Sequence, residues 1–120
     1  MEKALTRADL AQFTGSEQWY RHPLARDVIF TDGAKYVADA AGAYWLLDEI
    51  VLAQRYEHSV KAELFQLWKL AINADRTAVL TCNDGNGAIV FSKTIEFTDF
   101  PLSEIEFYFA NNVIHLPSEY

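Results

Sequence analysis

The chain has 120 residues, 51% of them hydrophobic and 14% aromatic, which suits one domain with ample material for a core. A net charge of −7 disfavours non-specific attraction to nucleic-acid phosphate or anionic lipid. The single cysteine, Cys82, excludes an internal disulfide and a multi-cysteine zinc site, and it fits a reducing compartment.

Thr6 opens a Thr-x-x-Asp pattern completed by Asp9, which predicts a short N-terminal helix over Thr6 to Phe13. Leu5, Leu10 and Phe13 would share its core side and Gly15 would end it. The opening MEKALTRADL has no apolar stretch after its basic residue, so it does not read as a signal peptide. No apolar run anywhere reaches membrane-spanning length, and the expected location is the cytoplasm.

The next stretch, FTGSEQWYRHP, concentrates polar chemistry between two predicted elements. Ser16 lacks the flanking glycines of a nucleophile elbow. Glu17, Tyr20, Arg21 and His22 form an alternative candidate site, with His22 as base and Glu17 or Asp48 orienting it. The mechanical reading of the same residues is a corner, with Trp19 and Tyr20 anchoring their rings in the core or its rim. His22-Pro23 favours extended backbone there.

In DVIFTDGAKYVAD the Asp32-Gly33 dipeptide predicts a tight hairpin turn between strands at Asp27–Thr31 and Ala34–Ala38. A central helix follows, from about Ala41 to Arg55, apolar on most sides and therefore buried. Asp48 and Glu49 break its apolar run. Adjacent helical positions point about 100° apart, so these two carboxylates make no paired site and are expected on a wet stripe near Arg55 or Lys61.

The remainder reads as an antiparallel meander of four or five strands. LFQLWKLAIN and RTAVLTCN are joined at Ala74-Asp75, and DGNG at Asp84–Gly87 turns into AIVFSKTIEF. Ile89, Phe91, Ile95 and Phe97 share one predicted face of that strand. In EIEFYFA, Ile105, Phe107 and Phe109 face in while Glu106 and Tyr108 face out. Asn111-Asn112 turns into VIHLP, whose His115 is expected at the surface or on an edge strand. Helix, hairpin, helix and meander make one α+β domain with helices on one face of the sheet.

No catalytic set emerges. His22, His58 and His115 lack metal-ligand spacing, and DGNG lacks both the calcium-loop series and a phosphate-loop Lys-Ser/Thr. His58 suits a helix C-terminus, and Cys82 reads as a small core filler. No metal or cofactor is expected.

Charge offers the other candidate. From Thr94 to Tyr120 there are five acids and no Lys or Arg. Glu96, Asp99, Glu104 and Glu106, with Tyr108 among them, are expected on neighbouring strands, forming one acidic face that binds a positively charged protein surface.

The motifs FTGSEQWYRHPL, FTDGAKYVAD, AGAYWLLDEI and LPSEY resemble a family of short bacterial proteins of unknown function associated with plasmids, phages and other mobile elements. The resemblance implies a small cytoplasmic domain with an accessory role in element or phage biology, and carries no catalytic residues over. The expectation is a non-enzymatic protein-interaction domain, acting by binding, and inhibiting, a nucleic-acid-handling or host-defence protein with a basic surface. Direct nucleic-acid or membrane binding is not expected. The alternatives are a small enzyme or ligand-binding domain with its site near Glu17 to His22, and a structural homodimer.

Overall fold

A computed structural model of the chain describes residues 5–11 and 18–119. The element order is α1 (Arg7–Ala11), β1 (Trp19–Arg21), β2 (Ile29–Thr31), α2 (Asp32–Ala41), α3 (Tyr44–Tyr56), α4 (His58–Lys61), β3 (Phe65–Ile72), β4 (Ala78–Asn83), β5 (Ile89–Ile95), β6 (Glu104–Ala110), β7 (Val113–His115) and a closing 3-10 turn, Pro117–Glu119. The strands form one sheet in the order β1-β2-β7-β6-β3-β4-β5. Among the described residues, only β2 and β7 pair in parallel. The α+β architecture matches the pattern in the sequence.

Every second residue of the three central antiparallel strands is buried: Gln66, Trp68 and Leu70; Ala78, Leu80 and Cys82; Ile105, Phe107 and Phe109. The register sets Trp68 between Cys82 and Phe107. Val37, Leu46, Leu47, Ile50 and Val51 of α2 and α3 join these side chains in one core cluster. Burying each large apolar side chain contributes about 1.5–3 kcal/mol. The Trp68 indole N–H donates to Gln66 Oε1 at 2.9 Å. Gln66 in turn exchanges both amide hydrogen bonds with Gln54, at 2.7 and 2.9 Å, so the polar atoms in this wall of the core are satisfied.

The predicted hairpin at Asp32-Gly33 is not formed; the dipeptide begins α2 instead. Thr31 adopts extended backbone and its Oγ1 accepts a hydrogen bond from Ala34 N at 3.2 Å, an N-cap rather than a strand end. The residues after it carry the helical period: Ala34, Val37 and Ala38 are buried at spacings of three and four. Gly42, at φ 61°, closes α2, so the central helix begins at Tyr44 rather than Ala41. It is less enclosed than its composition suggests, because Tyr44, Leu52 and Tyr56 are exposed.

The meander is also shorter than predicted. β3, β4 and β5 follow one another, but β6 pairs with the far side of β3, so two strands separate β5 from β6. The connection over 96–103 crosses the ends of β3 and β4, where Arg76 holds it. Arg76 donates to the carbonyls of Thr98 (3.0 Å) and Phe100 (2.8 Å), and its own carbonyl accepts from Thr98 N at 2.9 Å. Phe100 is buried beneath this loop.

Ile105, Phe107 and Phe109 point inward as predicted, and Asn111 and Asn112 make the expected turn at φ 53° and 63°. The DGNG turn forms too, with Asp84 Oδ1 accepting from Asn86 N at 2.8 Å. The predicted apolar face of β5 is only partial: Phe91 and Ile95 pack, whereas Ile89 and Phe97 are exposed on the sheet's outer edge. His115 is buried rather than superficial, because β7 lies between β2 and β6.

Candidate functional site

Of the residues in the alternative site, Glu17 lies outside the described residues, as do Phe13, Gly15 and Ser16. Trp19 sits on the three-residue edge strand β1 and is 56% exposed, so it does not anchor the core. Tyr20 stacks on Phe30 with ring centroids 5.7 Å apart, and the Lys35 ammonium lies 5.3 Å from its ring. Arg21 is exposed.

His22 is only 2% exposed. Its Nδ1 accepts from Leu24 N at 3.0 Å, and its Nε2 lies 2.9 Å from Asp48 Oδ1. A nitrogen that accepts a backbone N–H carries no proton, so Nε2–H is the donor to Asp48. The predicted pairing of His22 with Asp48 is present, but both ring nitrogens are committed to the fold. A general base needs a free lone pair facing substrate, and this imidazole offers none. Neither helix acid pairs with Arg55 or Lys61: Asp48 meets His22, and Glu49 accepts from Lys93 at 2.9 Å, tying α3 to β5.

His58 is exposed at the start of α4, and His115 packs edge-to-face on Tyr108 at 5.8 Å. Burial pushes the His115 imidazole below its ordinary value. Burial likewise pushes the Cys82 thiol up to about 12, which leaves it protonated and unreactive at neutral pH.

The five candidates for partner binding do not share one face. Glu104, Glu106 and Tyr108 lie on the same side of β6, alternating with its buried residues. Glu104 is engaged by Lys69 at 3.1 Å and Arg7 at 3.7 Å. Glu96 and Asp99 follow β5, with β3 and β4 intervening. What the register shows is a rim. Ile95 pairs with Ala78, Ala78 with Ile72, and Ala71 with Glu104, so Glu96, Asp99 and Glu104 sit at one end of the sheet. The β3–β4 turn adds Asp75 there, whose carboxyl is held below its ordinary value by hydrogen bonds from the Thr77 hydroxyl and amide.

Two arrangements have no counterpart in the sequence reading. Glu119 reaches back to the first turn of α2, where its Oε1 accepts from Thr31 Oγ1 (2.6 Å) and Leu116 N (2.9 Å) and its Oε2 from Gly33 N (3.1 Å). A carboxylate is favoured at a helix N-terminus, and the acid-bearing LPSEY motif was the only clue. The second is a cleft of about 640 Å³ between α3, α4 and the β6–β7 turn.

A family model described as a family of unknown function, DUF6876, matches residues 4–120. The chain belongs to this family. The family's description gives it no activity. No curated protein matches the chain, and neither does any solved structure. Among the described residues, no helix is long and apolar enough to cross a membrane.

Proposed function

We propose that this chain is a non-enzymatic, cytoplasmic protein-interaction domain, of mobile-element or phage origin as its resemblance implies. It occupies a basic surface on a nucleic-acid-handling or host-defence protein and inhibits it. The observation that supports this most is the acidic rim: Asp75, Glu96, Asp99 and Glu104 at one end of the sheet, with Glu106 and Tyr108 continuing along β6. Gathering like charges costs tenths of a kcal/mol per close pair, and a cationic partner offsets that repulsion. Such a rim speeds docking and helps select the partner.

The test is affinity capture from the native host, followed by kinetics with the captured protein. Glu96→Lys, Asp99→Lys and Glu106→Lys combined leave the Glu104 ion pairs intact. The triple variant should lose the partner, and wild-type association should slow with added salt. Unchanged rates and salt dependence in a folded triple variant would overturn the reading. A structural homodimer is the second reading, favoured by the groove that Leu52, Tyr56 and Phe91 line beside the edge strand β5. Light scattering at rising concentration decides it.

A further inference from the structure

The cleft of about 640 Å³ lies at the opposite end of the sheet from the acidic rim, where β3 begins and β6 turns into β7. Its volume is in the range of small-ligand sites. Four charged side chains line it: Arg55 from the last turn of α3, Lys61 from α4, Asp27 from the turn before β2, and Glu63 from the entry to β3. Among the described residues, none of the four takes part in an ion pair, although two cations and two carboxylates surround one space. Elsewhere on the surface Lys35 pairs with Asp39, Lys69 with Glu104 and Lys93 with Glu49, whereas among the described residues Arg21 and Arg26, like the cleft cations, take part in no ion pair.

The rest of the lining fits the same kind of guest. Val28, Val51 and Phe109 are buried beneath its floor, and Leu64, 91% exposed, is the accessible apolar residue of the lining. Asn111 and Asn112 stand at its mouth, held in left-handed backbone by the turn and by Ile29 N donating to Asn112 O at 2.9 Å. Gln54 and Gln66 also border it, but their amides are spent on each other and on neighbouring carbonyls, so they form a rigid wall.

We infer that this cleft binds a short peptide with both ends charged and apolar side chains. The carboxylate terminus meets Arg55 and Lys61, the ammonium terminus meets Asp27 and Glu63, the asparagine amides face the peptide backbone, and the side chains lie against Leu64 and the floor over Val28 and Phe109. The ligand complements both signs of charge that line the cleft, whereas a simple anion or a simple cation answers only one of them. This site is independent of the acidic rim.

The probe is the dipeptide Leu-Leu, titrated into the full chain at neutral pH while the Asn111 and Asn112 amide signals are followed by NMR. Its N-acetylated form, its C-terminal amide and the doubly blocked form are titrated alongside. The free dipeptide should give saturable shifts at both asparagines, and blocking either end should weaken binding at least about tenfold, the effect of losing about 1.4 kcal/mol. The Arg55→Gln, Lys61→Gln variant should bind the free and C-amidated peptides alike. The Asp27→Asn, Glu63→Gln variant should bind the free and N-acetylated peptides alike. The same spectra report whether each variant is folded. No saturable shift, equal binding of the doubly blocked peptide, or undiminished discrimination in either folded variant would overturn the inference.

Discussion

Glu119 accepts a 2.6 Å hydrogen bond from the hydroxyl of Thr31, 88 positions earlier in the chain, and so fastens the closing turn to the start of α2. The bond is charge-assisted and backs up the N-cap that Thr31 itself makes to Ala34. Glu119→Gln should therefore lower stability by about 1–2 kcal/mol, read as a lower urea midpoint at unchanged slope. A methyl at Gly33 would run into the Glu119 carboxylate, so Gly33→Ala should cost a similar amount by displacing it. The double variant should cost clearly less than the sum. Additive losses would show that the two positions act separately.

Asp48→Ala should destabilise by about 1–3 kcal/mol, because it strands the buried Nε2–H of His22. Ring-nitrogen NMR on the wild type should show the proton on Nε2. A proton on Nδ1 would contradict the Leu24 hydrogen bond and reopen His22 as a base.

Two tryptophans should respond in opposite ways to truncation. Trp19, more than half exposed on an edge strand, should tolerate Trp19→Ala with a change within about 1 kcal/mol. Trp68, 1% exposed and bonded to Gln66, should cost about 3–5 kcal/mol as Trp68→Ala, mainly from the lost ring, because Gln66 Oε1 keeps its hydrogen bond from Gln54. Thermal midpoints of the two variants check both at once. Equal shifts would sink this assignment of core and edge.

Stability should also fall in mild acid through His115. In the unfolded chain its imidazole titrates near 6.5, and burial lowers that value in the fold. The unfolded state therefore binds the proton first. Its contribution is full above about pH 6.5 and declines as pH falls from there through the folded value. His115→Gln should flatten this part of the profile relative to wild type, measured as urea midpoints at pH 7 and at mildly acidic pH. Parallel profiles for the two proteins would remove His115 as the cause.

What could be read from the sequence was whatever depends on short periods. Ile105, Phe107 and Phe109 alternate, and their strand formed as expected. Asn111-Asn112 and DGNG are turns whose chemistry is local, and they too were legible. Asp32-Gly33 misled because the same dipeptide suits a hairpin turn and the first turn of a helix. The spacing of Ala34, Val37 and Ala38 was the stronger signal and favoured the helix. Strand order was not legible, since β5 and β6 are consecutive in the chain, and the hold of Arg76 on Thr98 and Phe100, where the loop between them crosses two strands, leaves no mark in the spacing. For the same reason the acids around Glu96 and Glu104 gather at an end rather than on a face. The sequence offers Glu17 or Asp48 as the partner of His22, and the fold brings Asp48 to it. That Leu24 N would fill the remaining nitrogen is a matter of backbone geometry no spacing rule carries.

The parallel pairing of β2 with β7 ties Ile29 and Phe30 to Val113 and Ile114. During synthesis, therefore, β2 emerges with only the short β1 to pair with, and its permanent neighbour follows 84 positions later, counted from Ile29 to Val113. β3, β4 and β5 can zip as local hairpins while the chain is still growing. The N-terminal third must wait, its β2 edge open, for β7 to arrive and for Glu119 to bolt it in place. A nascent chain stalled before Val113 would expose that edge, which makes the interval a natural point for a holding chaperone and makes loss of β7 a more serious lesion than its three residues suggest.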